Sequence, residues 1–294
     1  MKKEVLIVGG SSMVGSRFTE LNRDHFTFEV PTENELNLLD MQSVNRVVGN
    51  SPVSTVVNFA AFTNVGKAEE EKGNKDGLAY KLNAKAVEGL ARACKDSGKR
   101  LVHISTEYVF DGMKKHGLYK ESDKQSPINW YGRTKYDGEE LVQGSGCAYT
   151  IARISMPYRA RFPAKPDLAR TFLSMLRSGQ EISGCIDVIN TPTLIDDLTH
   201  GLKLVIDHEI DGIIHLSSED GISPFLFAKA ITEKFGLDGN LVKPIAFNVF
   251  CEGRPAPLLK NSGLDTSKFQ GLFGRGILHT VNGGLENFKQ QMLY

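Results

Sequence analysis

The sequence predicts an α/β chain built on a doubly wound parallel sheet, with a smaller C-terminal α/β lobe. Three observations predict it. Val5-Leu6-Ile7-Val8 is a continuous apolar run closed by Gly9-Gly10, the pattern of a strand buried on both faces of a parallel sheet. Comparable runs recur at Thr55-Val56-Val57-Asn58-Phe59, Leu101-Val102-His103-Ile104-Ser105 and Tyr149-Thr150-Ile151-Ala152-Arg153. Between them lie stretches of helical spacing, and strands alternating with helices make βαβ units.

Taken in order, the chain starts with Lys2 and Lys3 ahead of an apolar stretch, as a signal peptide does. The apolar part is too short and ends in glycine, so it reads as the first strand. Gly9-Gly10-Ser11-Ser12-Met13-Val14-Gly15 follows and opens a helix. Phe26 to Val30 supplies a second strand. Over residues 78–95, Leu82, Ala86, Leu90 and Ala93 recur at helical spacing. The charge-rich stretch 67–76 reads as a solvated face. After Pro157 the pattern loosens, and Pro163, Pro166, Pro192, Pro224, Pro244, Pro255 and Pro257 punctuate short elements. The expected division is a dinucleotide-binding domain over 1–156 and a substrate lobe over 157–294, with elements shared between them.

Composition narrows the function. The 294 residues include 40% hydrophobic ones, enough for a sizeable core, which excludes a disordered chain. The 35 basic and 35 acidic residues balance, against a nucleic-acid partner. Cys94, Cys147, Cys185 and Cys251 lie far apart, without metal-ligand spacing, and read as free thiols of a reducing compartment. No apolar run approaches the roughly 18 residues of a membrane span. The expectation is a cytoplasmic protein with no metal and no membrane association.

The residues that can carry chemistry fall in three groups. A dinucleotide pyrophosphate needs free amides at a helix N-terminus and small residues that let the backbone come close. Gly9 can make the tight turn and Gly15 lets the helix pack on its strand, while Ser12 stands at the middle glycine position. An acid after the second strand would hold the ribose hydroxyls, with Glu29 and Glu33 as candidates. Asp40 suits the adenine side or the N-cap of the next helix. Finally, Tyr131 and Lys135 share one helix face, and a nearby ammonium lowers a phenol's pKa. Ser105-Thr106-Glu107 ends a buried strand upstream, where a doubly wound sheet presents its ligands. Of the other polar residues, His103 reads as a satisfied core histidine. Asn58, followed by the small Ala60 and Ala61, suits the cofactor. Asn83, inside a helix, is either a contact beside the active site or an exposed residue.

These residues, in this order, resemble the extended short-chain dehydrogenase/reductase superfamily, and within it the dTDP-4-dehydrorhamnose reductase family. The resemblance spans nearly the whole chain. It rests on Val57 to Val65, Leu82-Asn83-Ala84, His103 to Gly112, Pro127 to Lys135, Thr191-Pro192-Thr193, and the C-terminal Arg254-Pro255 and Asn261 to Thr266. It implies a Rossmann-type fold and NAD(P)H-dependent reduction of a nucleotide-linked 4-keto-deoxysugar, as in dTDP-rhamnose biosynthesis. By resemblance Tyr131 is the proton donor, Lys135 its partner and a ribose ligand, and Thr106 the donor to the substrate carbonyl. Gly9, Ser12, Met13, Val14, Leu39, Asp40, Ala60, Ala61 and Thr63 line the cofactor, and Glu33 lies at the ribose. Two negative candidates there favour NAD(H) over NADP(H), unless Arg17 reaches a 2′-phosphate. Departures cluster elsewhere. Glu107 stands where aspartate is usual, Met156-Pro157-Tyr158-Arg159 replaces Trp-Val-Tyr-Gly, and Val188 and Asn190 replace Gln and Gly. Two other readings belong to the same resemblance: a dinucleotide-binding regulatory subunit without turnover, and an epimerase or dehydratase that retains its NAD. The expected partners are a sugar nucleotide and a second copy of the chain, as a homodimer.

Overall fold

In the computed structural model, which describes residues 2–293, the continuous apolar runs pair side by side. The first half supplies strands β1 (Lys3–Val8), β2 (Phe26–Glu29), β3 (Thr55–Asn58), β4 (Arg100–Thr106) and β5 (Ala148–Ile154). Helices α1 (Met13–Asn22), α2 (Met41–Asn50), α3 (Val65–Glu70), α4 (Leu78–Tyr80), α5 (Ala86–Asp96) and α6 (Trp130–Gly144) connect them. The second half holds β6 (Pro157–Tyr158), α7 (Leu168–Arg177), β7 (Ile182–Cys185), β8 (Thr193–Leu194), α8 (Ile195–Asp207) and β9 (Gly212–Leu216). It ends with α9 (Pro224–Phe235), β10 (Val242–Ile245), α10 (Phe247–Phe250), α11 (Ser267–Phe273) and α12 (Val281–Leu293).

The sheet runs β2-β1-β3-β4-β5-β9, all parallel. Its order reverses between β1 and β3, and a crevice opens there at the carboxyl ends of the strands. On one face Val5, Ile7 and Val57 pack with Phe18 of α1 and Leu198 and Leu202 of α8. On the other, Leu6, Val8 and Leu101 pack with Val44 of α2 and Leu90 of α5. A separate core of Tyr158, Leu173, Phe227 and Phe288 holds the C-terminal lobe together.

The structure refines three expectations. Leaving the sheet near residue 157 is not final: α8 and β9 return to it, because β5 would otherwise present an unpaired edge. The division at 156/157 therefore marks an excursion rather than the end of the sheet. The helical stretch 78–95 is interrupted by a π-helical turn over Lys81–Lys85, centred on Asn83. Residues 67–76 are more than a solvated face. Glu69 accepts the backbone N–H of Trp130 at 2.6 Å, and Glu71 that of Ala79 at 2.9 Å.

Candidate active site

The turn after β1 is shaped for close backbone approach. Gly9 has φ +75°, and a Cβ there would lie 2.6 Å from the Ala60 nitrogen, so only glycine fits. Ser12 caps α1 by accepting the Gly15 amide at 3.1 Å. Serine at the middle glycine position thus serves the helix that follows it. Met13 and Val14 begin α1, and their N–H groups have no acceptor within the helix. With Ala60 packed against Gly9, this cradle offers the free amides and close backbone approach that a dinucleotide pyrophosphate needs. Gly9→Ala should lose about 1–2 kcal/mol to the left-handed backbone alone, before the clash is counted. Thermal unfolding and dinucleotide titration check this: unchanged values for both would remove Gly9 from the cradle.

The other predicted binding residues divide. Thr63, Glu33 and Leu39 are exposed on the crevice loops. Asp40 is also exposed, and its carboxylate caps α2 through Gln42 N–H at 2.9 Å, so the capping alternative is the one formed. Glu29 ends β2, half-buried. Asn83, expected either as a contact beside the active site or as an exposed residue, is fully buried. It accepts Phe62 N–H at 2.8 Å and donates to Phe62 O and Thr134 Oγ1, both at 3.0 Å. It fixes the loop after β3 against α6. Asn58 likewise serves the cradle from beneath, accepting Ala60 N–H at 3.0 Å. Arg17 is held by carboxylates: Asp196 at 2.8 and 2.7 Å, and Glu20 at 2.6 Å.

Thr106, Tyr131 and Lys135 converge where β4 ends against the first turns of α6. Asn129 caps that helix through Gly132 N–H at 2.8 Å. A Cβ on Gly132 would run into the Tyr108 carbonyl oxygen, so this glycine lets α6 approach the end of β4. The Tyr131 phenol then lies beside the Thr106 hydroxyl, with the Tyr108 ring edge-on at 5.5 Å. All three chemistry-bearing side chains are buried.

The electrostatics depart from the sequence expectation. The Tyr131 phenol is pushed above its ordinary pKa, first by burial and then by Glu107, not lowered. Lys135 is turned elsewhere: its Nζ lies 2.8 Å from Ile104 O and 3.2 Å from His103 Nε2. Burial lowers its pKa to about 8. Asn58 Oδ1 is committed to Ala60 N–H, so its Nδ2 donates to His103 Nδ1 at 3.2 Å. That tautomer leaves the hydrogen on Nε2, facing Lys135, and the network favours the uncharged amine. His103 is a buried core histidine as expected, but it touches Lys135. A phenol that keeps its proton suits a proton donor.

Behind these residues runs a buried polar row. Ser105, Arg153 and His215 are register partners across β4, β5 and β9. Glu139 of α6 receives the Ser105 hydroxyl and a two-pronged Arg153 guanidinium, with contacts of 2.6 and 2.9 Å. Both charged side chains are 0% exposed. Where Trp-Val-Tyr-Gly was replaced, Met156 adopts φ 41°, a strained backbone for a side chain of its size. Arg159 turns to α1, donating to Met13 O at 3.1 Å, Ser16 Oγ at 3.0 Å and Glu20 at 3.1 Å.

A glycine turn at the switch point, with a buried tyrosine and lysine one helical turn apart beyond the end of β4, places the molecule among Rossmann-fold, NAD(P)-dependent oxidoreductases of the short-chain dehydrogenase/reductase type. Within that class, the model of the RmlD substrate binding domain matches residues 1–291, and the chain belongs to that family. It is 31% identical over 260 residues to the dTDP-4-dehydrorhamnose reductase of Mycolicibacterium smegmatis, covering 87% of this chain and 76% of that one. It is 29% identical over 276 residues to the enzyme of the same name from Mycobacterium tuberculosis, covering 91% and 86%. A crystal structure of dTDP-4-dehydrorhamnose reductase from Bacillus anthracis in complex with NADP superimposes with a TM-score of 0.89 at 30% identity, covering 99% of this chain and 100% of that one.

Proposed function

We propose that this chain reduces the 4-keto group of a nucleotide-linked deoxysugar. The observation that carries the reading is the convergence of Thr106, Tyr131 and Lys135 beyond β4, beside a turn shaped for a pyrophosphate. A bound nicotinamide supplies the hydride. Tyr131 gives its proton to the forming alkoxide, and Thr106 donates a hydrogen bond to the same oxygen. Lys135, tethered by His103 and Ile104 O, has an N–H left for the cofactor ribose. Incubation with NADH, NADPH and a panel of dTDP-, CDP-, UDP- and GDP-4-keto sugars tests this. No oxidation across the panel would favour the regulatory subunit. Dinucleotide retained on purification would favour an epimerase or dehydratase.

The cofactor reading is NADH before NADPH. Arg17, the cation that could meet a 2′-phosphate, already has two carboxylates on it. On the β2 side, Glu35 occupies the Thr32 amide and hydroxyl at 2.8 and 2.9 Å, and Glu33 adds a second negative charge nearby. A carboxylate a few ångström from a phosphate dianion costs about 1 kcal/mol or more even in a water-like dielectric. Glu33→Arg should shift the kcat/KM ratio toward NADPH. A wild-type ratio of about tenfold in favour of NADPH, equal to about 1.4 kcal/mol, would overturn the preference. Four free thiols, and no membrane-spanning helix among the described residues, fit a cytoplasmic setting. The mass of the purified chain in solution tests the homodimer.

A further inference from the structure

Glu107 is a carboxylic acid in an active site that the mechanism above does not use. It is 4% exposed, and it lies between Thr106 and Tyr108 at the end of β4. The groups around its carboxyl are the Thr106 and Ser155 hydroxyls and backbone amides, including that of Met156; these donors favour the charged form, but no cation is among them and burial outweighs them. The Ser155 hydroxyl faces it without closing a hydrogen bond. Tyr131 and Tyr108 stand close enough for its charge to raise both phenols. The Arg254 guanidinium, stacked on the Phe250 ring, acts on Tyr108 only through its charge, and Lys135 sits a turn beyond Tyr131.

The decisive distance is 2.7 Å, between Thr106 Oγ1 and Glu107 Oε2. A threonine hydroxyl has one hydrogen and two lone pairs. Tyr108 N–H already points at one lone pair, at 3.3 Å. If Glu107 is ionised, the single Thr106 hydrogen goes to its carboxylate and none remains for a substrate. If Glu107 is protonated, its O–H fills the second lone pair and the Thr106 hydrogen is released from the carboxyl toward the side where the Tyr131 phenol lies. Ionised Glu107 would also place a negative charge beside the oxygen on which negative charge develops.

We infer that Glu107 is a protonated positioning residue, whose O–H donates to Thr106 and thereby aims the only Thr106 hydrogen at the substrate carbonyl. Burial supports this, pushing the carboxyl up to about 7. The neutral form is therefore the one present below about pH 7, and the donor arrangement is lost as pH rises through that value. This inference rests on the proposed reductase reading.

Two measurements test it. In the first, kcat/KM is followed from pH 5.5 to 9 on whichever 4-keto sugar nucleotide is turned over, for wild type and Glu107→Gln. The glutamine amide donates at every pH. The variant should keep wild-type kcat within about tenfold at pH 6, or 1.4 kcal/mol. Its alkaline decline should move upward by a pH unit or more, because the amide has no proton to lose. Superimposable profiles overturn the inference, as does a larger loss at pH 6 with dinucleotide binding intact. The second measurement needs neither substrate nor a folded variant: carbon-13 NMR titration of the glutamate carboxyls in the wild-type apoprotein, with Glu107 assigned through bonds. A midpoint near 7 supports the inference. A midpoint in the ordinary glutamate range, near 4.3, overturns it. Absence of turnover across the whole panel overturns the reductase reading alone, since the carboxyl midpoint still decides the state of Glu107.

Discussion

Tyr131→Phe removes about 100- to 10,000-fold of kcat while dinucleotide affinity stays within a few-fold, because the change deletes one proton and leaves the ring in place. The ring is held by Tyr108 and by the close approach of α6, so phenylalanine keeps the packing. Turnover by the variant and fluorescence titration with NADH measure the two quantities. Near-parental turnover would show that another group donates the proton. A parallel collapse of dinucleotide binding would show that the phenol mainly shapes the cofactor site.

The largest effect on stability is expected at the polar row behind the site. Glu139→Ala leaves Arg153 charged and unpaired in a fully buried position, at a cost of about 3–5 kcal/mol. Urea unfolding monitored by tryptophan fluorescence should show the midpoint falling accordingly. The double variant Glu139→Leu with Arg153→Met should recover much of the loss, since an apolar pair of similar volume carries no desolvation penalty. A parental midpoint in Glu139→Ala would mean that water reaches the guanidinium.

Much of the sheet was legible because a strand buried on both faces must be apolar throughout. Val5 to Val8 announces itself by that constraint alone. Tyr131 and Lys135 were legible because helical geometry fixes what four residues of separation means. That elements would be shared across residue 157 was expected, but not which ones, because the pairing of β9 with β5 is a long-range choice with no local signature. The direction in which Tyr131 is shifted was hidden for a related reason. Spacing puts Lys135 on the same face, but only the fold shows its amine turned to His103 and Ile104 O. Asn83 could be read as a contact or as exposed, and only the fold shows its amide leaving the helix to hold Phe62 within a π-helical turn. Arg159 stood out as a departure at a pocket position, while its partners on α1 lie more than a hundred residues away.

That arginine ties the loop after β6 to the helix that opens the nucleotide crevice. Its backbone belongs to the loop after β6, and its guanidinium grips the carbonyl of Met13, the residue that opens α1 over the pyrophosphate cradle. Met13 also meets the Arg170 guanidinium of α7 through its sulfur at 3.9 Å, so a shift of either the loop or the cradle would strain contacts shared by both. Thermodynamic linkage then demands symmetry: whatever factor an occupied sugar cleft applies to dinucleotide affinity, an occupied cradle applies to sugar affinity. The order in which the two ligands arrive leaves that product unchanged, so a single titration of one in the presence of the other measures the communication in both directions.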